Sequence, residues 1–242
     1  MSAAPRILDA GEAALVVEFG ASVDPAISDR VLALDDALAA DRPEGIAETV
    51  PTYRSLMIHY DPLILDREAL AGHVRTLTGG ETARAGTPAR WILPCCYEAP
   101  HGEDLAAVAE RIGQSPEQVA KIHAEGTYRV YMYGFAPGFA YLGGLPEALA
   151  VPRRPSPRPP HPTNAIMIGG GLAAVATVSM PTGWYVLGVT PCRLYAPERE
   201  ESFFVSPGDA IRFEPVDVAT YDALAAREAA GERVARRMEG DQ

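Results

Sequence analysis

Three arginines, one histidine and a glycine-broken run of aromatic residues are the parts of this chain equipped to hold a charged small molecule. Residues 151–162, VPRRPSPRPPHP, carry six prolines and three arginines. Proline excludes helix and central strand, so this arm is stiff and extended and presents Arg153, Arg154 and Arg158 at little ordering cost. A guanidinium is a planar fork that pairs bidentately with carboxylate or phosphate. The competing reading is a solvated, solubilising segment. His123 falls in the last turn of the helix that Ser115-Pro116-Glu117-Gln118 begins with a capping box and a first-turn proline. Two roles are open to it: a protonated cap on the negative end of the helix, or a ligand or acid–base group. Between them lies GFAPGFAYLGG, residues 134–144. Gly134, Pro137, Gly138, Gly143 and Gly144 should break regular structure there. Phe135, Phe139, Tyr141 and Leu142 are too apolar for a solvated loop. The stretch either lines a recess or is a packed structural turn.

The elements that position these groups follow from periodicity. In TYRVYMYG, residues 127–134, Tyr128, Val130 and Met132 alternate with Arg129, Tyr131 and Tyr133, which predicts a strand ending at Gly134. Upstream, the order reads strand, helix, strand, strand, helix, strand. A strand over Ala13–Phe19 is followed by a helix capped by Asp24-Pro25, with Ile27, Val31, Leu34 and Leu38 on one face. Strands over Ile46–Thr52 and Ser55–Tyr60 precede a helix from Asp66 to about Leu77, and Ala89–Cys95 supplies a last strand. This is the split βαβ arrangement of a ferredoxin-like domain. The run TGGETARAGTP reads as a linker. After it come helices at Asp104–Ile112 and from Ser115, then short strand-like segments over 165–168, 172–179, 185–189, 193–195, 202–205 and 210–213 that indicate a barrel or sandwich. Val216–Met238 reads as a helix broken near Gly231. The expected fold class is α+β, with an N-terminal ferredoxin-like domain (1–86), a β-barrel domain with helices (87–218) and a C-terminal helical tail (219–242).

Composition narrows the function classes. A formal charge of −11 over 242 residues argues against nucleic acid or an anionic membrane as partner. No apolar run nears the roughly 20 residues a bilayer needs, and the start lacks a signal core, so a cytoplasmic protein is expected. Cys95 and Cys96 would point to opposite faces of a strand, and with Cys192 they read as buried apolar residues. No HxH or HExxH spacing exists among the five histidines, and no metal site is expected. The chain has no GxxxxGK[ST] phosphate loop and no GxSxG elbow.

The string HxxxxYRVYMYGFAPGFAYLGGLP, His123 to Pro146, resembles the family that contains the B-type subunit of 5-oxoprolinase (PxpB), allophanate hydrolase subunit 1 and the kinase inhibitor KipI. DAGEAALVVEFG (9–20) and VPTYRSLMIHYDP (50–62) are similar to its amino-terminal landmarks. The resemblance implies a cyclophilin-like barrel and a chain that does not catalyse alone. Such a chain pairs with a protein like the C-type subunit (PxpC; allophanate hydrolase subunit 2 in the sister system). By the same resemblance the A-type subunit cooperates with them, in an assembly that spends ATP to open a cyclic amide. No cofactor is expected on this chain by itself. Two Pro-Arg steps of the family match Pro152-Arg153 and Pro157-Arg158. The implied catalytic or charge-stabilising residues are therefore His123, Arg153 and Arg158. The implied substrate-binding wall is Phe135, Pro137, Gly138, Phe139, Tyr141, Gly183 and Trp184.

The chain departs from that pattern downstream. The family usually reads VPAGSVAIAG and then xQTGIYPxxSPGGW, where this chain has HPTNAIMIGG (161–170) and GLAAVATVSMPTGW (171–184). Ala165, Leu172, Ala173 and Ala176 stand where the family has serine, glutamine, threonine and tyrosine. Asn164 replaces a glycine and tolerates a left-handed backbone; Thr182 does not, so either its turn differs or the family's glycine serves close approach of a ligand. Loss of these polar groups predicts a different or more apolar ligand, or none. The rival readings are a regulatory binding protein of the kinase-inhibitor type without activity and, by fold analogy alone, a peptidyl-prolyl isomerase.

Overall fold

The computed structural model describes residues 4–80, 84 and 86–238. The chain divides into two units, Met1–Thr87 and Pro88–Gln242. The first runs β1 (Arg6–Asp9), β2 (Ala14–Glu18), α1 (Pro25–Ala40), β3 (Ile46–Pro51), β4 (Ser55–Tyr60) and α2 (Arg67–Thr78). Its sheet is antiparallel throughout, in the order β1-β2-β4-β3. The helix starts follow from the sequence. Asp24 accepts from the Ala26 amide ahead of Pro25, and Asp66 accepts from Glu68 and Ala69. Leu15, Val17, Leu56 and Ile58 pack against Val31, Leu34 and Val74 to form one core.

The second unit runs β5 (Arg90–Cys96), α3 (Leu105–Ile112), α4 (Pro116–Glu125), β6 (Tyr128–Gly134), β7 (Ala136–Gly143), β8 (Ala165–Gly169), β9 (Leu172–Ala176), β10 (Tyr185–Val189), β11 (Ala210–Val216), α5 (Val218–Ala229) and β12 (Arg236–Arg237). Seven strands in the order β10-β8-β9-β7-β6-β11-β5 close through a pairing of Val189 with Cys96. β5 and β11 run parallel, and β12 lies antiparallel against β5. This closed barrel with helices fits the cyclophilin-like architecture. One alternation set from every strand, including Leu93, Val130, Leu142, Ile166, Val175, Leu187 and Phe213, falls in a single cluster, which is therefore the interior. The other set on β7 to β10 forms a smaller cluster on the outer face: Phe139, Ala165, Met167, Ala174, Ala176, Trp184 and Val186.

The α+β class and the order of the domains are as expected; several elements are not. The strand at Ala89–Cys95, expected to complete the first domain, is β5 of the barrel. The first sheet instead gains β1, which is too short to show a period. The stretch after Gly134, expected to be irregular, is strand β7. Its glycines mark close approach: a Cβ on Gly143 would collide with the Tyr131 ring, and one on Gly138 with Tyr195. The segments 193–195 and 202–205 meet only at one bridge, Tyr195 with Phe203. Past Gly231 the chain is extended and pairs as β12, so the long C-terminal helix is confined to α5. That helix is fastened to the barrel unit. Glu228, 2% exposed, accepts from the Arg193 and Val234 amides and from Arg199. The linker expected over residues 78–88 includes 81–83 and 85, which lie outside the described residues.

All three cysteines are free and buried. Burial pushes the Cys192 thiol up to about 12 and raises Cys95 and Cys96. They are protonated packing residues, as expected of small apolar groups. Among the described residues no cluster of ligating side chains could hold a metal ion, and no helix is long and apolar enough to cross a membrane.

Candidate functional site

The proline-rich arm is held as an extended segment against the turn that precedes β10. The Arg154 amide donates to the Gly183 carbonyl and the Arg158 amide to Thr182, each at 2.8 Å; the His161 amide donates to Met180 at 3.2 Å. Thr182 keeps an ordinary backbone conformation at this turn, not a left-handed one, and its hydroxyl accepts from the Trp184 amide at 3.1 Å. Asn164, by contrast, does adopt φ 56, as its short amide side chain permits.

The three arginines of the arm have three different fates. Arg153 is exposed, with its guanidinium 5.3 Å from the centroid of Trp184. Arg154 and Arg158 both donate at 2.8 Å to Asp104, one to each carboxylate oxygen, and Arg158 also bonds Glu103. The Arg158 side chain is only 9% exposed. Asp104 stands at the cap position of α3 yet caps nothing with its side chain. Its second oxygen also accepts the Val186 amide at 2.8 Å, tying the start of α3 to β10 and to the arm. Asp104 was not singled out by the sequence, because an acidic residue before a helix reads as a cap. Its partners lie 50 to 82 residues away.

From Arg153 an aromatic ladder crosses the outer face of the barrel. Trp184 meets Tyr141 at 6.4 Å, Tyr141 meets Phe139 at 4.9 Å, and Phe139 meets Phe135 at 5.8 Å. The ladder ends at the β6–β7 turn, where Phe135 is 78% exposed and held at φ 70. A bulky residue in the left-handed region costs ~1–2 kcal/mol, so this exposed ring is kept in place against a local preference. Pro137 joins the same hairpin through its carbonyl, which accepts from the Thr177 hydroxyl at 2.5 Å. Gly138 allows the hairpin to lie against Tyr195. Ala165, Leu172 and Ala176, three of the positions where the chain lacks the family's polar side chains, all fall in or against this outer cluster. Ala173 faces the interior instead.

His123 is elsewhere. It is fully buried on α4, stacked 5.0 Å from Phe213 and 5.0 Å from Tyr128, with Nδ1 2.7 Å from the Tyr97 hydroxyl. Burial pulls its pKa from 6.5 to about 3, and Nε2 has no hydrogen-bond partner. A protonated cap is therefore not what this residue is. The imidazole is neutral at pH 7 because desolvation of the cation outweighs attraction to the helix end. None of its ring contacts or side-chain hydrogen bonds comes from the arginine arm. Tyr97 and Phe213, which enclose it, line a cavity of about 970 Å³ on the side of the unit formed by α3, α4 and β11. The structure thus joins Arg153, Trp184, Tyr141, Phe139 and Phe135 in one chain of contacts, with Phe139 and Trp184 buried and Arg153 and Phe135 exposed at its ends. Arg158 is committed to an ion-pair cluster and His123 to a separate aromatic core.

Residues 5–205 match the family described as carboxyltransferase domain, subdomain C and D. A protein of Bacillus subtilis (strain 168), named as the B-type subunit of 5-oxoprolinase, is 31% identical over 229 residues, which is 90% of this chain and 95% of that one. Another of the same name, from Escherichia coli O157:H7, is 36% identical over 208 residues, or 85% of this chain and 93% of its own. Among solved structures, a crystal structure of TTHA0988 superposes with a TM-score of 0.76 at 37% identity over 84% of this chain. The match spans only 40% of that longer chain.

Proposed function

The chain belongs to the carboxyltransferase subdomain C and D family, which includes proteins named as the B-type subunit of 5-oxoprolinase, and from that premise we propose that it is one subunit of a 5-oxoprolinase-type complex. It would act with a partner like the C-type subunit, and with the A-type subunit, in the ATP-dependent opening of a cyclic amide. The ATP would be used by the assembly rather than by this chain alone. The observation that carries the reading is the exposed Phe135, held at φ 70 at the end of the ladder that leads to Arg153. An aromatic side chain fixed in solvent at conformational cost suits a surface completed by another polypeptide, because buried aromatic and arginine anchors dominate protein interfaces. The length of TTHA0988 is in keeping with this, since the matched region there is part of a larger chain.

In this reading Arg153, Phe135, Pro137, Tyr141 and Gly183 form the contact surface, and the buried Gly138, Phe139 and Trp184 support it from beneath. Arg158 and His123 act from behind it, the first by fixing the arm and the second by filling the barrel end. Co-expression with a C-type protein is expected to give a stable complex that, with ATP and the A-type protein, releases glutamate from 5-oxoproline. Phe135→Gly should weaken that complex by ~2–4 kcal/mol, on the order of a hundredfold in affinity, as removal of an anchoring aromatic does. The melting temperature of the isolated chain should hardly move, because glycine relieves the left-handed strain. A complex of undiminished affinity would refute the assignment of this surface.

The apolar cluster at Ala165, Leu172 and Ala176 favours a second reading, a regulatory binding protein of the kinase-inhibitor type. Stoichiometric binding of a kinase with no turnover in the reconstituted mixture would select it.

A further inference from the structure

A second cavity, about 510 Å³, lies between α3 and the arm, with Tyr185, Arg111, Arg154, Ser156 and Glu110 among its lining residues. Tyr185 is 2% exposed, yet its hydroxyl has no hydrogen-bond partner. The guanidinium of Arg111 lies 5.5 Å from the centre of the Tyr185 ring and that of Arg154 lies 5.2 Å from it. Arg154 uses Nη1 on Asp104, while its Nε is buried without an acceptor. Arg111, in the last turn of α3, has no carboxylate on it among the described residues. Buried donors left without acceptors are costly, and native proteins rarely leave several in one place without a use for them.

We propose that this cleft binds the oxyanion group, carboxylate or phosphate, of a small organic molecule, with Arg111, Arg154 and the Tyr185 hydroxyl as donors. The volume suits a molecule larger than a bare ion. Ser156 can add a hydroxyl contact. Glu110 is the only acidic residue in the lining, placed to receive a hydroxyl or amide N–H from the body of the same ligand. Asp104 acts as a positioning residue: it anchors Arg154, a lining residue of the cleft, through Nη1 alone. The site is distinct from the aromatic ladder. Of the arm's arginines it uses Arg154, which has no counterpart in the two Pro-Arg steps of the family pattern.

The test is calorimetric titration of the full-length chain with inorganic phosphate and, separately, with 5-oxoproline, at matched ionic strength. Saturable binding of either is expected. Arg111→Gln should weaken it about tenfold, and Tyr185→Phe, which keeps the ring and removes the donor, by several-fold. Arg111 is exposed, so that variant should melt with the wild type. Binding of phosphate alone, or of 5-oxoproline alone, would name the source of the oxyanion and support the site. No saturable binding of either, or binding that both variants leave intact, would overturn it. Because the chain is measured without a partner, this outcome is separable from success or failure of the proposed role in a complex.

Discussion

Asp104→Ala is expected to destabilise the barrel unit by ~3–5 kcal/mol, a large share of the roughly 5–15 kcal/mol typical of a folded domain. The carboxylate is the shared acceptor of Arg154, Arg158 and the Val186 amide. Its removal leaves Arg158, with a side chain 9% exposed, facing Glu103 alone, and strips a buried backbone N–H of its partner. A buried charge that loses its counter-ion is worse than a pair replaced by apolar groups. Arg158→Met combined with Asp104→Leu should therefore be less damaging than Asp104→Ala by itself. Urea unfolding of the three proteins decides the matter. If Asp104→Ala costs under about 1 kcal/mol, the cluster is not what fixes the arm.

Acid should unfold this protein earlier than its carboxylates alone require, because of His123. In the folded state its pKa is about 3, against 6.5 ordinarily, the cause being burial. The sign follows from proton counting. Above pH 6.5 neither state binds a proton at this residue, and its burial costs nothing in charge. Between 6.5 and 3 the unfolded chain takes up a proton that the folded chain refuses, so stability falls as pH falls, by up to ~1.4 kcal/mol per pH unit. Below 3 both states are protonated and the slope ends. The loss over the window is on the order of 5 kcal/mol. His123→Phe keeps the stacking on Phe213 and Tyr128 but orphans the Tyr97 hydroxyl, which should cost ~1–3 kcal/mol near neutral pH. That variant lacks the histidine's share of the acid slope and should overtake the wild type at about pH 5. Parallel acid limbs in chemical denaturation would contradict the buried neutral imidazole.

Local signals were the legible ones. The caps at Asp24, Asp66 and Ser115 each name a helix start, because a side-chain acceptor beside a proline or a free amide acts within three residues. Asn164 was readable for the same reason: its backbone conformation is a property of the residue itself. Strand ownership was not. β5 has the same apolar pattern whether it completes one sheet or another, and only its partners β10 and β11, roughly 90 and 120 residues later, decide. The glycines of β7 looked like terminators because their cause, close packing against Tyr131 and Tyr195, is tertiary. At the candidate site, the aromatic loop and Arg153 stood out by composition. Arg111, Tyr185 and Asp104 did not, since each is ordinary in its own segment and acquires meaning only from the others. His123 was visible as a histidine, but its charge state depends on burial among three rings from separate segments: Tyr97 just past β5, Tyr128 on β6 and Phe213 on β11.

The pairing of β5 sets a timetable for synthesis. The sheet of the first unit joins strands no further apart than residues 6 and 60, so it can assemble soon after leaving the ribosome. β5, next in line, must wait for β10 at Val189, for β11 at residues 210–216 and for β12 at residues 236–237 before both of its edges are paired. Through that long stretch of translation an apolar strand ending in two thiols stays open to mispairing. Slow, nonlocal closure of this kind places the barrel, rather than the first unit, as the step on which chaperones would act.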